Sequence, residues 1–142
     1  VSAWLFQRKG FKETLKKYGD YKTSPATEGF VRFSRHFLNR NVTAYWVLYN
    51  KEKAGMLEVF EKEDSIRIAR FCILKKYRNR RIGQTALLIL ETHYPDKKQW
   101  SLDTIFEEKN NLHLYEKLGY RECGVRKPVH DKMTMVFYEK IK

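Results

Sequence analysis

Between Phe71 and Leu90 the chain reads FCILKKYRNRRIGQTALLIL, with five basic side chains set between an apolar run and an amphipathic one. The period-2 character of the first part predicts a strand. Ile82–His93 is predicted to be a helix, with Ile82, Ala86, Leu87, Ile89 and Leu90 on one face and Pro95 behind it as a stop. A helix N-terminus offers unpaired N–H groups and a partial positive charge, and so holds phosphate well. Gly83, in the first turn, lets the backbone approach a ligand closely. Lys75, Lys76, Arg78, Arg80 and Arg81 add long-range attraction for an anion. The chemistry this permits is a pyrophosphate cradle. The same residues also read as a solvated basic loop or a nucleic-acid patch, because such charge runs are common on surfaces.

A second segment, residues 110–120, reads NNLHLYEKLGY. It predicts a short helix over Asn110–Leu118 capped by Gly119, with Leu112, Tyr115 and Leu118 on its apolar face. By periodicity alone Tyr115 is a core aromatic. Asn111, one turn earlier on the same face, reads either as a helix-start residue or as a hydrogen-bonding group for a ligand.

Taken together, the two segments resemble the GNAT family of N-acetyltransferases. That family sets an Arg/Gln-x-x-Gly-x-Gly/Ala loop between its fourth strand and the following helix. The matching positions are Arg78, Asn79, Arg80, Arg81, Ile82 and Gly83. The family's downstream Asn…Leu-Tyr-Glu-Lys-Leu-Gly-Tyr/Phe pattern is matched by Asn111 and by Leu114 through Tyr120. The order of strands, loop and helices from about Val42 to Ile141 agrees as well. Arg81 replaces the first Gly of the loop. A side chain there crowds a pyrophosphate if the backbone needs a positive φ, or else adds a phosphate contact.

The resemblance implies acetyl-coenzyme A as cosubstrate, a primary amine as acceptor, and direct attack on the thioester with no acyl-enzyme. It implies that Arg78, Asn79, Arg80, Arg81, Ile82, Gly83 and Gln84 hold the pyrophosphate. Main-chain groups around Cys72 and Ile73 would pair with the pantetheine arm, with Asn111 a further contact. Tyr115 would be the general acid: a phenol near ~10 and a thiol near ~8.5 can share a proton. Many family members carry a Glu on the fourth strand, but Ile66–Leu74 contains none. Glu58, on the preceding strand, is the candidate base, against the ordinary expectation that a strand Glu faces solvent. Two alternatives stand beside this reading: a basic nucleic-acid-binding module, and a catalytically degenerate coenzyme-A-binding protein of the same fold.

The elements that must position these residues are legible in outline. Residues 3–7 suggest a short strand, Phe11–Tyr18 a helix ended by Gly19, and Thr27–Asn39 a helix closed by Asn39–Asn41. Thr43–Tyr49 and Ala54–Phe60 form a hairpin signature, with Ile66–Leu74 a third antiparallel strand. Trp100–Phe106 is a strand after the basic loop and its helix. Tyr120–Val125 and Thr134–Ile141 are the last strands, with Pro128–Asp131 in their connection. The expected fold is α+β and GNAT-like: a twisted, mostly antiparallel sheet with one parallel strand pair, flanked by helices. Residues 1–142 are read as one domain, with variable acceptor-side helices over 1–41 and the acetyl-coenzyme-A-binding core over 42–142.

Composition bounds the rest. A chain of 142 residues, 42% hydrophobic and 15% aromatic, suits one core. No apolar run approaches the ~20 residues of a membrane span, and residues 1–9 show no signal-peptide pattern. Cys72 and Cys123 lack metal-ligand spacing, and Cys72 lies in an apolar run as core. A soluble, cytoplasmic protein is expected, with no metal, no membrane partner and a monomeric or homodimeric state. His93, His113 and His130 read as surface or packing residues. The net charge of +12 attracts polyanions or a phosphate-rich ligand and disfavours polycations. Glu107 and Glu108 offset it locally, and nucleic acid is not the expected partner.

Overall fold

The computed structural model describes residues 2–21, 24–36 and 41–142. The chain opens as a helix, α1 (Ser2–Gly10), where a strand was expected over 3–7. Trp4, Phe6 and Gln7 explain the difference. Trp4 Nε1 donates to Glu28 O at 2.7 Å, Phe6 meets Trp46 edge-on with centroids 5.0 Å apart, and Gln7 is wholly buried. The inward positions Gln7 and Gly10 stand three residues apart, which is helical spacing. Tertiary contacts here outweigh the strand preference of an aromatic stretch.

Helix α2 (Lys12–Tyr18) stops as expected at Gly19, whose φ of 66° returns its N–H to Leu15 O at 2.7 Å. A 3-10 turn, Pro25–Thr27, is capped by the Ser24 side chain, and α3 (Phe30–His36) follows. The last part of the helix expected over Thr27–Asn39, residues 37–39, lies outside the described residues, as does most of its expected closure.

Six strands make one sheet: β1 (Val42–Tyr49), β2 (Glu52–Glu61), β3 (Ser65–Ile73), β4 (Gln99–Ile105), β5 (Arg121–His130) and β6 (Met133–Ile141). Their order is β1-β2-β3-β4-β6-β5. All pairs are antiparallel except β3–β4. Asn50 and Lys51, both at positive φ, turn β1 into β2. The last hairpin corrects the expected connection over Pro128–Asp131. Strand β5 runs through to His130, and Pro128 pairs opposite Thr134. An edge strand tolerates proline because one of its sides has no ladder to complete.

Helix α4 (Ile82–Thr92) is the crossover between β3 and β4, and α5 (Lys109–Lys117) links β4 to β5. Leu87 and Leu90 of α4 join Val47, Leu57, Val59, Ile66, Ile68 and Trp100 in the main core. Burying each such aliphatic side chain is worth roughly 1.5–3 kcal/mol. The two faces of the sheet are read from β3. A Cβ at Gly83 of α4 would lie 3.5 Å from Phe71 and 3.8 Å from Ile73, whereas one at Gly10 of α1 would lie 2.5 Å from Cys72 Sγ. Successive strand residues point to opposite faces, so α4 and α1 cover opposite sides. Among the described residues, no helix is long and apolar enough to cross a membrane.

Candidate active site

Parallel pairing between β3 and β4 covers only Ser65–Arg67 against Gln99–Ser101. Beyond that point β3 continues to Ile73 without a register partner on β4, so the sheet opens into a wedge. Along Ile68–Ile73 the main-chain edge toward β4 has no strand partner among the described residues and is open to an extended ligand, apart from Ile73 O, which accepts from Arg78 Nε. Cys72 and Ile73 lie on this stretch. The Cys72 thiol is buried and pushed up to about 12 by desolvation, so it is packing and no nucleophile.

A bulge shapes the same stretch. Met56 pairs with Cys72 but Glu58 pairs with Ala69, which leaves one extra residue on β3 and puts Arg70 at φ 48°. The bulge brings Arg70 to the side of Glu58. Its Nε lies 3.2 Å from Glu58 Oε1, and its Nη1 lies 2.9 Å from Glu28 Oε2. Gln7 Nε2 donates to Glu28 Oε2 at 2.7 Å, and His36 Nε2 stands 2.9 Å from Glu58 Oε2.

Glu58 is fully buried, not solvent-facing as an ordinary strand Glu would be. Burial raises its carboxyl to about 7; Arg70 opposes that rise and the Glu28 carboxylate adds to it. His36 moves the other way, lowered by burial and then by Arg70. The result is a buried carboxyl that titrates near neutrality beside an imidazole shifted toward its neutral form. Sequence reading found Glu58 but missed Arg70, Glu28, His36 and Gln7. Its one available signal was a charge inside the apolar run Met56–Phe60, which a two-sided buried strand admits only with a partner.

At the other end of β3 a 3-10 turn, Lys75–Tyr77, leads to an exposed loop in which Asn79 (φ 64°) and Arg81 (φ 58°) are both left-handed. Arg81 therefore holds the positive φ that a glycine adopts without strain. The first helical bond recorded here runs from Thr85 N to Arg81 O at 3.0 Å, so the N–H groups of Ile82, Gly83 and Gln84 have no acceptor within the helix. The Arg78 side chain turns away from this end: Nε donates to Ile73 O at 3.0 Å and Nη1 to Glu13 Oε2 at 2.7 Å. The Arg80 guanidinium lies 5.8 Å from the Tyr49 ring centroid.

Helix α5 stands beside the cradle, with Leu114 Cδ2 3.7 Å from a Cβ placed at Gly83. Tyr115 is buried and meets the rings of Tyr120 and Tyr138 edge-on, with centroids 6.1 and 6.4 Å apart. Burial, and then the Asp103 carboxylate, holds its phenol well above the ordinary value. Asp103 also bridges β4 to β3, 3.3 Å from Arg67 Nη2. Asn111 is exposed in the first turns of α5, its N–H given to Glu108 O at 3.1 Å.

The Acetyltransferase (GNAT) domain family model matches residues 41–122. Among solved structures, a GNAT family acetyltransferase from Elizabethkingia anophelis with acetyl-CoA bound is 19% identical, with a TM-score of 0.65 over 80% of this chain and 84% of its own. A Bacillus subtilis acetyltransferase in complex with CoA is 14% identical, with a TM-score of 0.63 over 78% of this chain and 82% of its own. A mutant of a spermidine N-acetyltransferase from Vibrio cholerae is 15% identical, with a TM-score of 0.62 over 77% of this chain and 70% of its own. A sequence search of curated proteins found no match.

Proposed function

Because the chain belongs to the GNAT acetyltransferase domain family, we propose that it transfers an acetyl group from acetyl-coenzyme A to a primary amine by direct attack. The observation that carries this reading is the run of features beside and along β3: the buried carboxylate of Glu58 on β2 facing the bulge, an open main-chain edge, then a left-handed loop ending in free helix N–H groups.

The residues fit the cosubstrate in an orderly way. The N–H groups of Ile82, Gly83 and Gln84 hold its pyrophosphate, with Arg80 and Arg81 adding positive charge. The edge around Cys72 and Ile73 pairs with its pantetheine arm, and Asn111 flanks the arm from α5. Arg78, held by Glu13, shapes the loop. Acetyl-coenzyme A supplies the activated acyl carbon.

In the transfer the amine nitrogen forms a bond to the thioester carbon and the carbon–sulfur bond breaks. Glu58 takes the proton that the nitrogen loses, directly or through water, and His36 gives that proton a route outward. Tyr115 gives its proton to the departing thiolate. A phenol held high by burial keeps its proton until a thiolate forms beside it, which suits an acid that acts late. The acceptor is a primary amine, and no metal ion takes part in any of these steps.

The test is thermal stability with acetyl-coenzyme A against NAD and ATP, followed by thiol release with an amine panel. A ligand at a hundred times its Kd stabilises the native state by about 2.7 kcal/mol. A shift specific to acetyl-coenzyme A, followed by turnover, supports transfer. An equal shift with all three ligands means a merely basic loop. A specific shift without turnover on any amine leaves a cosubstrate-binding protein that does not catalyse.

A further inference from the structure

A cavity of about 640 Å³ opens between α1–α2 and the start of the loop after β3. Its walls carry Lys9, Lys12, Lys16, Lys75 and Lys76, together with the ion pair of Glu13 and Arg78 at 2.7 Å. The pair cancels itself, which leaves five ammonium groups. Among the described residues none of the five has a carboxylate partner. Other lysines of this chain do: Lys17 with Glu108 at 3.3 Å, Lys97 with Glu61 at 3.3 Å, Lys140 with Glu91 at 2.9 Å. Five lysines without a carboxylate partner lining one hollow, Lys76 resting over the Tyr77 ring, give it a net positive potential, a standing field for an anion.

The cavity is distinct from the phosphate cradle. Its helical walls are α1 and α2, and α1 covers the face of β3 opposite α4. Gly10 packs on Cys72 from that side, and Leu74 forms the adjoining wall. An anion here is therefore a second one, additional to the pyrophosphate at the α4 N-terminus. Leu74 gives its N–H to Ala54 O, and from Ala54 to Glu58 is four strand residues, about 13 Å.

Resting on the acetyl-transfer reading, we propose that the acceptor is an acidic amine. Its attacking nitrogen lies at the bulge beside Glu58, and carboxylate or phosphate groups about 13 Å away sit among these lysines. Polycationic amines are repelled from the same hollow.

The experiment measures thiol release by the full chain with three amines: a short peptide whose free N-terminal Ala precedes three Asp residues, the same peptide with three Asn, and spermidine. It is repeated on the double variant Lys12→Gln/Lys16→Gln. The Asp peptide should have a KM at least about tenfold below the Asn peptide, a preference worth ~1.4 kcal/mol. That preference should collapse in the double variant and in high salt, with the Kd for acetyl-coenzyme A unchanged. Turnover of spermidine or the Asn peptide as good as that of the Asp peptide overturns the inference and leaves the transferase reading standing. A weakened Kd for acetyl-coenzyme A in the variant assigns the cavity to the cosubstrate and also overturns it. Binding of acetyl-coenzyme A with no turnover on any of the three removes the transferase reading and this inference together.

Discussion

Arg70 Nε stands 3.2 Å from Glu58 Oε1, an ion pair between a bulged residue of one strand and a fully buried carboxylate of the next. The pair does not hold Glu58 in the ordinary carboxylate range, because burial outweighs it and leaves the group near 7 against a usual 4.5. A carboxyl raised on folding binds its proton more tightly in the native state. Its contribution to stability is thus fully present below pH 4.5 and is lost as pH rises through about 7. Glu58→Gln removes that dependence. Denaturant midpoints measured from pH 4.5 to 8 should show wild type losing stability relative to the variant across this window, by a few kcal/mol at most. Equal slopes would mean that folding does not raise the Glu58 carboxyl.

The same carboxyl should govern the rate. With Glu58 as base, kcat/KM rises with pH and levels off above about 7. In Glu58→Gln the rate at neutral pH should fall about 100-fold or more and the acidic limb should disappear. His36 is shifted the opposite way, lowered by burial and then by Arg70. A variant that keeps the wild-type profile would point to an acceptor whose amine needs no base.

Gly10 bears on the strand from the other side. A Cβ there would lie 2.5 Å from Cys72 Sγ, closer than real contacts allow. Gly10→Ala should destabilise by roughly 1–3 kcal/mol through overpacking. Adding Cys72→Ala makes room, so the double variant should be more stable than the sum of the singles by roughly 0.5–3 kcal/mol. Additive losses would show that α1 does not rest on β3 through this contact.

Periodicity and turn residues were enough to read the strands, α4, α5 and the stop of α2 at Gly19, because each buries one face in local register. What escaped was set by long-range contact. Trp4 and Phe6 look like strand residues until Glu28 and Trp46 are beside them. Pro128 looks like a loop residue until β5 is known to be an edge. The proposed base is the sharpest case. Glu58 was visible as a residue, but its burial depends on a one-residue bulge at Arg70 that alternation alone places on the wrong face. The loop from Arg78 to Gly83 was readable as a strand-to-helix connection, yet the Glu13 that turns Arg78 aside lies 65 positions away.

Arg81 takes the left-handed conformation, φ 58° and ψ 19°, at the N-cap of α4. For a residue with a Cβ this is worse than for glycine by roughly 1–2 kcal/mol, and glycine's greater chain entropy returns roughly 0.5–1 kcal/mol of that. Arg81→Gly should therefore raise stability by about 0.5–1 kcal/mol, a Tm gain of a few degrees. Arg81→Val, β-branched, should lose stability instead. Because the N–H groups of Ile82, Gly83 and Gln84 remain in place, the Kd of the glycine variant for acetyl-coenzyme A should stay within about threefold of wild type, under 1 kcal/mol. A larger loss of affinity with unchanged stability would make the Arg81 guanidinium a direct phosphate ligand.

Tyr115 separates packing from catalysis in a single atom. Its ring is held between Tyr120 and Tyr138, and these contacts survive in Phe. Among the described residues no hydrogen bond of its hydroxyl is recorded, so Tyr115→Phe should shift Tm by no more than a degree or two, within about ±0.5 kcal/mol. As general acid the hydroxyl is worth about 10²–10⁴-fold in kcat. The expected variant is thus folded, binds acetyl-coenzyme A normally and turns over at least about 100-fold more slowly. Its deficit should shrink when the acetyl donor carries a leaving thiol of lower pKa, which departs without a proton. A full-rate Phe variant would return Tyr115 to the core and leave protonation of the thiolate to solvent. A slow variant whose deficit ignores the leaving thiol would make the hydroxyl a positioning group for the cosubstrate arm.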